Sequence, residues 1–186
     1  MLALALTGCI AEAGTTPTRE PAAPTTGAGS PTPTASATPT ASPTPTAGAA
    51  RIPTDCRAMV SAAVLAEFGQ TPLNDPALGA SGVQPDGSLV CIWRDPRADT
   101  TNLVTTISKV SRGPALDLLN QLADAEGFTC YTPNKGTRCE KTWQNTTYPV
   151  TDGRTLFWRD GILIDTRFSN LAPSGYTDSV ITHIFG

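Results

Sequence analysis

Cysteine is the residue type whose number and spacing most clearly indicate chemistry in this sequence, which contains five of them. Apart from Cys9, they form an even set: Cys56, Cys91, Cys130 and Cys139. The set has no C-x₂-C pair of the kind that zinc sites and thiol oxidoreductases use, so a zinc site is the less favoured alternative. We expect two disulfides formed in an oxidising compartment.

Four cysteines allow three connectivities. We favour Cys56 with Cys91 and Cys130 with Cys139, because the second pair closes a short loop of turn residues, Thr132-Pro133-Asn134-Lys135-Gly136.

Cys9 ends the tetrapeptide Leu6-Thr7-Gly8-Cys9, which follows a short apolar run. This pattern resembles the lipobox of bacterial lipoprotein signals, in which the cysteine is linked to diacylglycerol and becomes the mature N-terminus. Two acyl chains hold a protein stably at a membrane, which a single chain does not. We therefore expect Cys9 to anchor the chain to the outer face of the cell membrane. The alternative is that residues 1–9 are an apolar segment without a signal function and that Cys9 is a free thiol.

The apolar run before Cys9 is shorter than a secretory signal and has no basic residue in front of it, since the first positive charge is Arg19. We expect residues 1–9 to be a truncated signal whose true start lies upstream of Met1. No later segment offers the roughly 20 consecutive apolar residues that a membrane-spanning helix needs.

Residues 10–50 are composed almost entirely of Pro, Thr, Ala, Gly and Ser. Such a segment has too few aromatic or long aliphatic side chains to offset the entropy lost on ordering. We expect a disordered linker with polyproline-like stiffness. At about 3.1 Å per residue, its forty or so residues would reach on the order of 120 Å.

Residues 51–186 are long enough for one domain with a single core. Runs with apolar residues at alternate positions predict strands at 88–94, 102–110, 138–143 and 147–150. Helix-start residues predict two short helices between 53 and 69, the second of them capped by Ser61 and ending at Gly69. Helical spacing predicts a helix from Arg112 and a last helix from Pro173 to Phe185. We expect an α+β fold, an antiparallel sheet of about five to six strands packed with helices.

The most specific local signal is Asp160-Gly161, which predicts a type I′ hairpin between 154–159 and 162–168. In this register Phe157 faces Ile164 and Trp158 faces Leu163. One side should form the core and carries Thr155, Phe157, Ile162, Ile164 and Phe168. The other side carries Arg154, Leu156, Trp158, Leu163, Asp165 and Arg167.

Catalytic patterns are missing from the sequence. His183 is the single histidine, and no nucleophile elbow, phosphate loop, zincin or EF-hand motif occurs. We therefore expect no metal, no cofactor and no catalytic residue. Four aspartates fall in turns, where backbone reasons explain them: Asp86, Asp95, Asp99 and Asp160. The chain carries a net charge of −3 without a basic stripe, so a nucleic-acid partner is not expected.

Aromatic rings edged by charged residues are the better candidates for a ligand site. Trp93 shares a strand face with Cys91, and we expect it to pack in the core. Trp143 shares a face with Cys139 and Lys141, and either role is open. Trp158 is the preferred ligand residue, because Arg154, Asp165 and Arg167 lie on its face of the hairpin.

The order Cys56-x-x-Met59-Val60-Ser61, a short helix ending at Gly69, and Cys91-x-Trp93 on a strand resembles a family of actinobacterial secreted lipoproteins of unknown function. The resemblance covers about forty residues and the general architecture. It implies a PsbP/Mog1-like fold, with an antiparallel sheet between helices, and transfers no catalytic residue. The Cys130 and Cys139 pair is not part of the family pattern.

These observations predict a non-enzymatic, lipid-anchored domain that binds a glycan, lipid or protein of the cell envelope. The alternative is a small-molecule or lipid carrier with an internal pocket. A hydrolase based on two carboxylates is the third possibility.

Overall fold

A computed structural model describes residues 50–186. The predictions for the signal, for Cys9 and for the linker up to position 49 lie outside the described residues. The described part is an α+β fold: α1 (Ala62–Phe68), α2 (Arg112–Glu126) and α3 (Tyr176–Phe185) pack on one antiparallel sheet. The strands are β1 (Gly82–Val83), β2 (Leu89–Arg94), β3 (Asn102–Lys109), β4 (Thr129–Tyr131), β5 (Thr137–Gln144), β6 (Thr151–Arg159) and β7 (Ile162–Ser169).

The sheet has seven strands in the order β1-β2-β3-β7-β6-β5-β4, and every neighbouring pair is antiparallel. The prediction of five to six strands was therefore too low. The two strands that sequence patterning missed are the edge strands, β1 with two residues and β4 with three. Segments this short contain too little alternation to be recognised.

Two further predictions were wrong. Residues 147–150 form a bend rather than a strand, because the Asn145 side chain accepts the backbone N–H groups of Thr147 and Tyr148. The expected first helix near 53–60 is a set of turns. Asp55 does accept the N–H groups of Arg57 and Ala58 as a helix cap would, but no α-helix follows it.

The hairpin between β6 and β7 is confirmed in the predicted register, with Phe157 opposite Ile164 and Trp158 opposite Leu163. Asp160 and Gly161 have φ values of 50° and 80°. A type I′ turn needs positive φ at both central residues, and its twist matches that of the flanking strands. This turn therefore fixes which side chains each face of the sheet presents.

The sheet buries both of its faces. On one face, the larger core lies under α1 and α3 and includes Phe157 and Ile164. There Phe68 stacks on the fully buried Trp93 with ring centroids 4.0 Å apart, which confirms Trp93 as a core residue. On the other face, a smaller core under α2 is formed by Leu119, Leu122, Phe128, Cys139, Leu156 and Leu163.

The helix ends follow ordinary capping rules. The Ser61 hydroxyl accepts the Val64 N–H at the start of α1, as predicted from the sequence. Gly127, at a φ of 69°, ends α2 and donates its N–H to the Leu122 carbonyl. Across residues 50–186, none of the helices combines the length and the apolar character needed to cross a bilayer.

Both disulfides join the predicted partners. Cys56 is bonded to Cys91 and ties the N-terminal turns to β2, in the centre of the larger core. Cys130 is bonded to Cys139, directly opposite in the β4–β5 pair. The second bond therefore holds a three-residue edge strand that is exposed along its whole length.

Replacing each cysteine pair by alanine tests these roles. In a Cys9→Ser background, we expect Cys130→Ala/Cys139→Ala to lower the free energy of unfolding by about 3 kcal/mol and Cys56→Ala/Cys91→Ala by about 4 kcal/mol. The second loss is larger because that bond closes a span of 35 rather than 9 residues and because Cys91 is buried in the core. Urea unfolding measures both, and the reverse order would contradict this account.

Candidate functional site

The hairpin residues predicted as a ligand face form an ion-pair cluster on the α2 side of the sheet. Arg154 donates two hydrogen bonds to Asp165, of 2.9 and 2.7 Å, and Arg167 lies 3.8 Å from the same carboxylate. The hydrogen bond to Asp165 raises the pKa of Arg154 above its ordinary value, so the guanidinium stays charged. The structure thus brings together three of the four predicted residues.

Trp158, the fourth, occupies a different part of the same face. Its indole N–H donates a 2.8 Å hydrogen bond to the Val110 carbonyl, and its ring packs on the core under α2 next to Leu118. Leu156 lies between Trp158 and Arg154 on that face of β6. Trp158 therefore helps to hold the N-terminal end of α2 on the sheet.

The aromatic ring beside the arginines is that of Trp143 on β5, which is 41% exposed. It lines a cleft of about 570 Å³ on the α2 side, which we call the tryptophan cleft. The residues that define it are Phe128, Lys141, Trp143, Arg154 and Arg167, with Glu126 and Asp152 at its edge. The sequence left the role of Trp143 open, and the structure makes it the exposed aromatic wall of this cleft.

The tryptophan cleft exists because α2 ends before the sheet does. Gly127 terminates the helix, and the part of β5, β6 and β7 beyond it has no helix above it. The ammonium group of Lys141 donates to the Glu126 carbonyl, where a cation is favoured by the helix dipole and by the unpaired carbonyls of the last turn. The helix end and the cleft wall are therefore joined.

The charges of the tryptophan cleft favour an anionic ligand. Three cationic side chains line it against two acidic ones. Asp152 already accepts a 2.7 Å hydrogen bond from the Asn145 amide, while Arg167 is 65% exposed and keeps donors free for a ligand. Exposed arginines beside a tryptophan can pair with a carboxylate while a flat apolar ring packs on the indole.

A second cleft lies on the α3 side of the sheet and was not predicted from the sequence. It has a volume of about 710 Å³, and we call it the threonine cleft because Thr155, Thr166 and Thr177 line it. Its charged wall consists of Arg138, Glu140, Lys141 and Asp178. Its only sequence signal is weak: Thr155 and Thr166 lie at core-facing positions of strands, where apolar residues are the rule.

Arg138 organises the charges of the threonine cleft. Its guanidinium lies 2.9 Å from Glu140 and 3.0 Å from Asp178, so it connects β5 to the first turn of α3. The Tyr131 hydroxyl donates to the other oxygen of Glu140 at 3.0 Å. Both carboxylates of the cleft are therefore engaged by the same arginine.

Tyr176 closes the inner end of the threonine cleft. Its hydroxyl shares a 2.9 Å hydrogen bond with Thr105, which also bonds to Thr166 at 3.0 Å. Burial raises the pKa of Tyr176 to about 12, although the bond to Thr105 and the nearby indole of Trp93 oppose this rise. The Trp93 N–H lacks hydrogen-bond geometry toward the hydroxyl and remains without a partner among the described residues.

The four turn aspartates and the histidine considered from the sequence do not come together in one site. Asp86 accepts two hydrogen bonds from Ser88, which lower its pKa, and Asp95 pairs with Arg97 in its own turn. Asp99 pairs with Arg94, and Asp160 pairs with the adjacent Arg159. His183 is exposed on α3. Within residues 50–186, no three His, Cys, Asp or Glu side chains are grouped as a metal ion would need.

No family model, curated protein or solved structure matches this chain. The geometry of the two clefts is therefore the basis for a functional assignment.

The buried hydroxyl of Tyr176 predicts a specific loss of stability at high pH. A raised pKa means that the folded state binds the phenolic proton more tightly than the unfolded state does. The protonated hydroxyl therefore adds its full stabilisation below pH 10, and this stabilisation is lost as the pH rises toward 12. Two pKa units correspond to at most about 3 kcal/mol. Unfolding measured from pH 8 to 12 should show this decline for the natural chain and a smaller one for Tyr176→Phe.

The control is Tyr148→Phe, because Tyr148 is 52% exposed. This variant should keep the full decline in stability between pH 10 and 12. Identical pH profiles for the natural chain and Tyr176→Phe would contradict the assignment.

Proposed function

We propose that this chain is a non-enzymatic, lipid-anchored domain on the outer face of a bacterial cell membrane, where it binds an anionic component of the cell envelope in the tryptophan cleft. The anchor rests on the lipobox at Cys9 and on the linker that follows it. The two disulfides support an oxidising, extracytoplasmic location.

The observation that carries the binding proposal is the exposed indole of Trp143 next to Arg154 and Arg167. Tryptophan and arginine are the residue types that contribute most to binding energy in recognition surfaces. The fixed pair of Arg154 with Asp165 holds the wall in place, while Arg167 remains available to a ligand. The cleft is thus largely formed before a ligand enters, which lowers the entropic cost of binding.

The charge and shape of the tryptophan cleft indicate a ligand with a carboxylate next to a flat ring face. An acidic envelope glycan, such as a fragment of the cell wall that carries peptide carboxylates, has both features. Binding rather than catalysis is supported by Asp165, whose two oxygens both accept hydrogen bonds from Arg154. A general acid or base must instead be free to exchange a proton with a substrate.

Binding is tested with the full chain carrying Cys9→Ser, its disulfides intact, by calorimetric titration with soluble peptidoglycan fragments. Trp143→Ala and Arg167→Ala should each weaken binding about tenfold or more, because a ring contact and a charged hydrogen bond are lost. Both side chains are exposed, so the free energy of unfolding should change by less than about 0.5 kcal/mol.

Two matched controls complete the titration. Arg97→Ala removes an exposed arginine outside the cleft and should leave binding unchanged. Trp158→Phe keeps a ring but removes the hydrogen bond to Val110, so it should cost about 1 kcal/mol of stability and no affinity. Equal binding by Trp143→Ala and the natural chain would refute the site. Binding to uncharged lipid vesicles in place of the fragments would favour the carrier alternative.

Anchoring is tested separately in bacterial cells grown with labelled palmitate. We expect the natural chain to incorporate the label and to sediment with the membranes. Cys9→Ser should lose both properties, because the thioether cannot form on serine. A labelled Cys9→Ser chain, or an unlabelled natural chain, would refute the anchor while leaving the binding result intact.

A further inference from the structure

A row of polar side chains crosses the α3 face of the sheet. Cross-strand pairing places Glu140 opposite Thr155, Thr155 opposite Thr166, and Thr166 opposite Thr105. The neighbouring row on one side is apolar, with Phe157, Ile164 and Ile107 in register. Four polar positions in one line across a buried face are unusual, since such positions are normally apolar.

Three of the four residues in this row are engaged by the protein. Glu140 pairs with Arg138 and accepts a hydrogen bond from Tyr131. Thr105 and Thr166 bond to each other, and Thr105 also bonds to Tyr176. The side chain of Thr155 has no hydrogen-bond partner among the described residues, although the residue is only 9% exposed and lines the threonine cleft. Thr177, on the first turn of α3, lines the same cleft and is 7% exposed. Its side chain also has no hydrogen-bond partner among the described residues.

The hydroxyl oxygens of Thr155 and Thr177 are not fully enclosed by the protein, so they open to the threonine cleft and can form hydrogen bonds there. Two such hydroxyls facing one cleft are available to bond a ligand. A hydroxyl both donates and accepts, and so do the hydroxyls of a sugar.

The charges of the threonine cleft favour a neutral ligand. Arg138 faces two carboxylates in this cleft, Glu140 and Asp178, while Lys141 is shared with the tryptophan cleft and donates to the Glu126 carbonyl. Arg138 is already paired with both carboxylates, so an added anion would meet their repulsion. The carboxylate oxygens can instead accept hydrogen bonds from ligand hydroxyls, and such bonds are stronger than those between two neutral groups.

The cleft also contains an apolar surface formed by Leu103 and Phe168. The Phe168 ring lies against Gly153, directly opposite it in the β6–β7 pair. A Cβ atom at Gly153 would lie 2.2 Å from the ring, so only glycine allows the ring to lie this close to the backbone of β6. The aliphatic face of a pyranose can pack on such an apolar surface.

We propose that the threonine cleft is a second ligand site, which binds a neutral sugar through Thr155, Thr177 and the carboxylates around Arg138. It opens on the α3 face of the sheet, whereas the tryptophan cleft opens on the α2 face; the two clefts share only Lys141 and Phe168 among their lining residues. The domain would then bind an anionic ligand on one face and an uncharged sugar on the other.

The test uses the full chain with Cys9→Ser and a series of neutral oligosaccharides built from glucose, mannose, arabinose and N-acetylglucosamine. Calorimetric titration measures affinity, and NMR amide shifts locate the site. We expect at least one oligosaccharide to bind and to shift the signals of Thr155 and Thr177. Glycerol, at equal concentration, should not bind, because it lacks the ring face that packs on Phe168.

Thr155→Val keeps the shape of the side chain and removes its hydroxyl. We expect the dissociation constant for the sugar to rise about fivefold to tenfold. Stability should stay unchanged or rise, because no protein hydrogen bond is lost. A purely structural role would instead lower stability and leave affinity unchanged. Thr106→Val is the matched control, since Thr106 lies on the opposite face of β3 and should alter nothing.

Three results would overturn the proposal: no binding by any oligosaccharide in the series, amide shifts confined to the α2 face, or an unchanged affinity in Thr155→Val. Trp143→Ala serves as the cross-check on independence. This variant should bind the neutral sugar with the same affinity as the natural chain. That result is expected whether or not peptidoglycan fragments bind to the natural chain.

Discussion

The register of the β6–β7 hairpin is the constraint on which the rest of the domain depends. The two strands are at the centre of the sheet, with β3 outside one and β5 outside the other. A slip by one residue would exchange the two faces, so that Phe157 would point toward α2 and Leu156 toward α3. Both cores and both clefts would be lost together. The positive φ values of Asp160 and Gly161 hold the register in place.

Incomplete helix cover explains why this sheet has clefts on both faces. Its seven strands span roughly 29 Å at about 4.8 Å per strand spacing. One face is covered by α2 alone, and the other by the short helices α1 and α3. On one face the tryptophan cleft begins where α2 ends, and on the other the threonine cleft begins where α3 starts. Each cleft therefore borders a helix end, where free backbone groups meet exposed side chains.

Local signals made much of this fold predictable. The Asp160-Gly161 turn gave the hairpin register, Ser61 gave the start of α1, and the turn-rich loop gave the Cys130–Cys139 bond. The errors arose where a side chain redirected the backbone, as Asn145 does at 147–150. The edge strands were missed because β1 and β4 have only two and three residues, too few to show an alternating pattern.

The candidate site was predictable only in part, for a physical reason. Ion pairing between Arg154 and Asp165 follows from hairpin geometry, which the sequence contains. Whether Trp158 or Trp143 is exposed depends on where α2 lies across the sheet, and this is a tertiary property. The threonine cleft likewise combines β5, β6, β7 and the first turn of α3, which no local pattern relates.

The short edge strands affect how copies of this domain meet one another. A free strand edge offers unpaired N–H and C=O groups to a neighbouring chain, and long flat edges promote aggregation. Here β1 offers two residues and β4 three. Where β5 continues past β4, it carries Lys141, a residue type that discourages strand pairing between molecules. Copies of the domain can therefore lie close together on a surface without pairing strands between molecules.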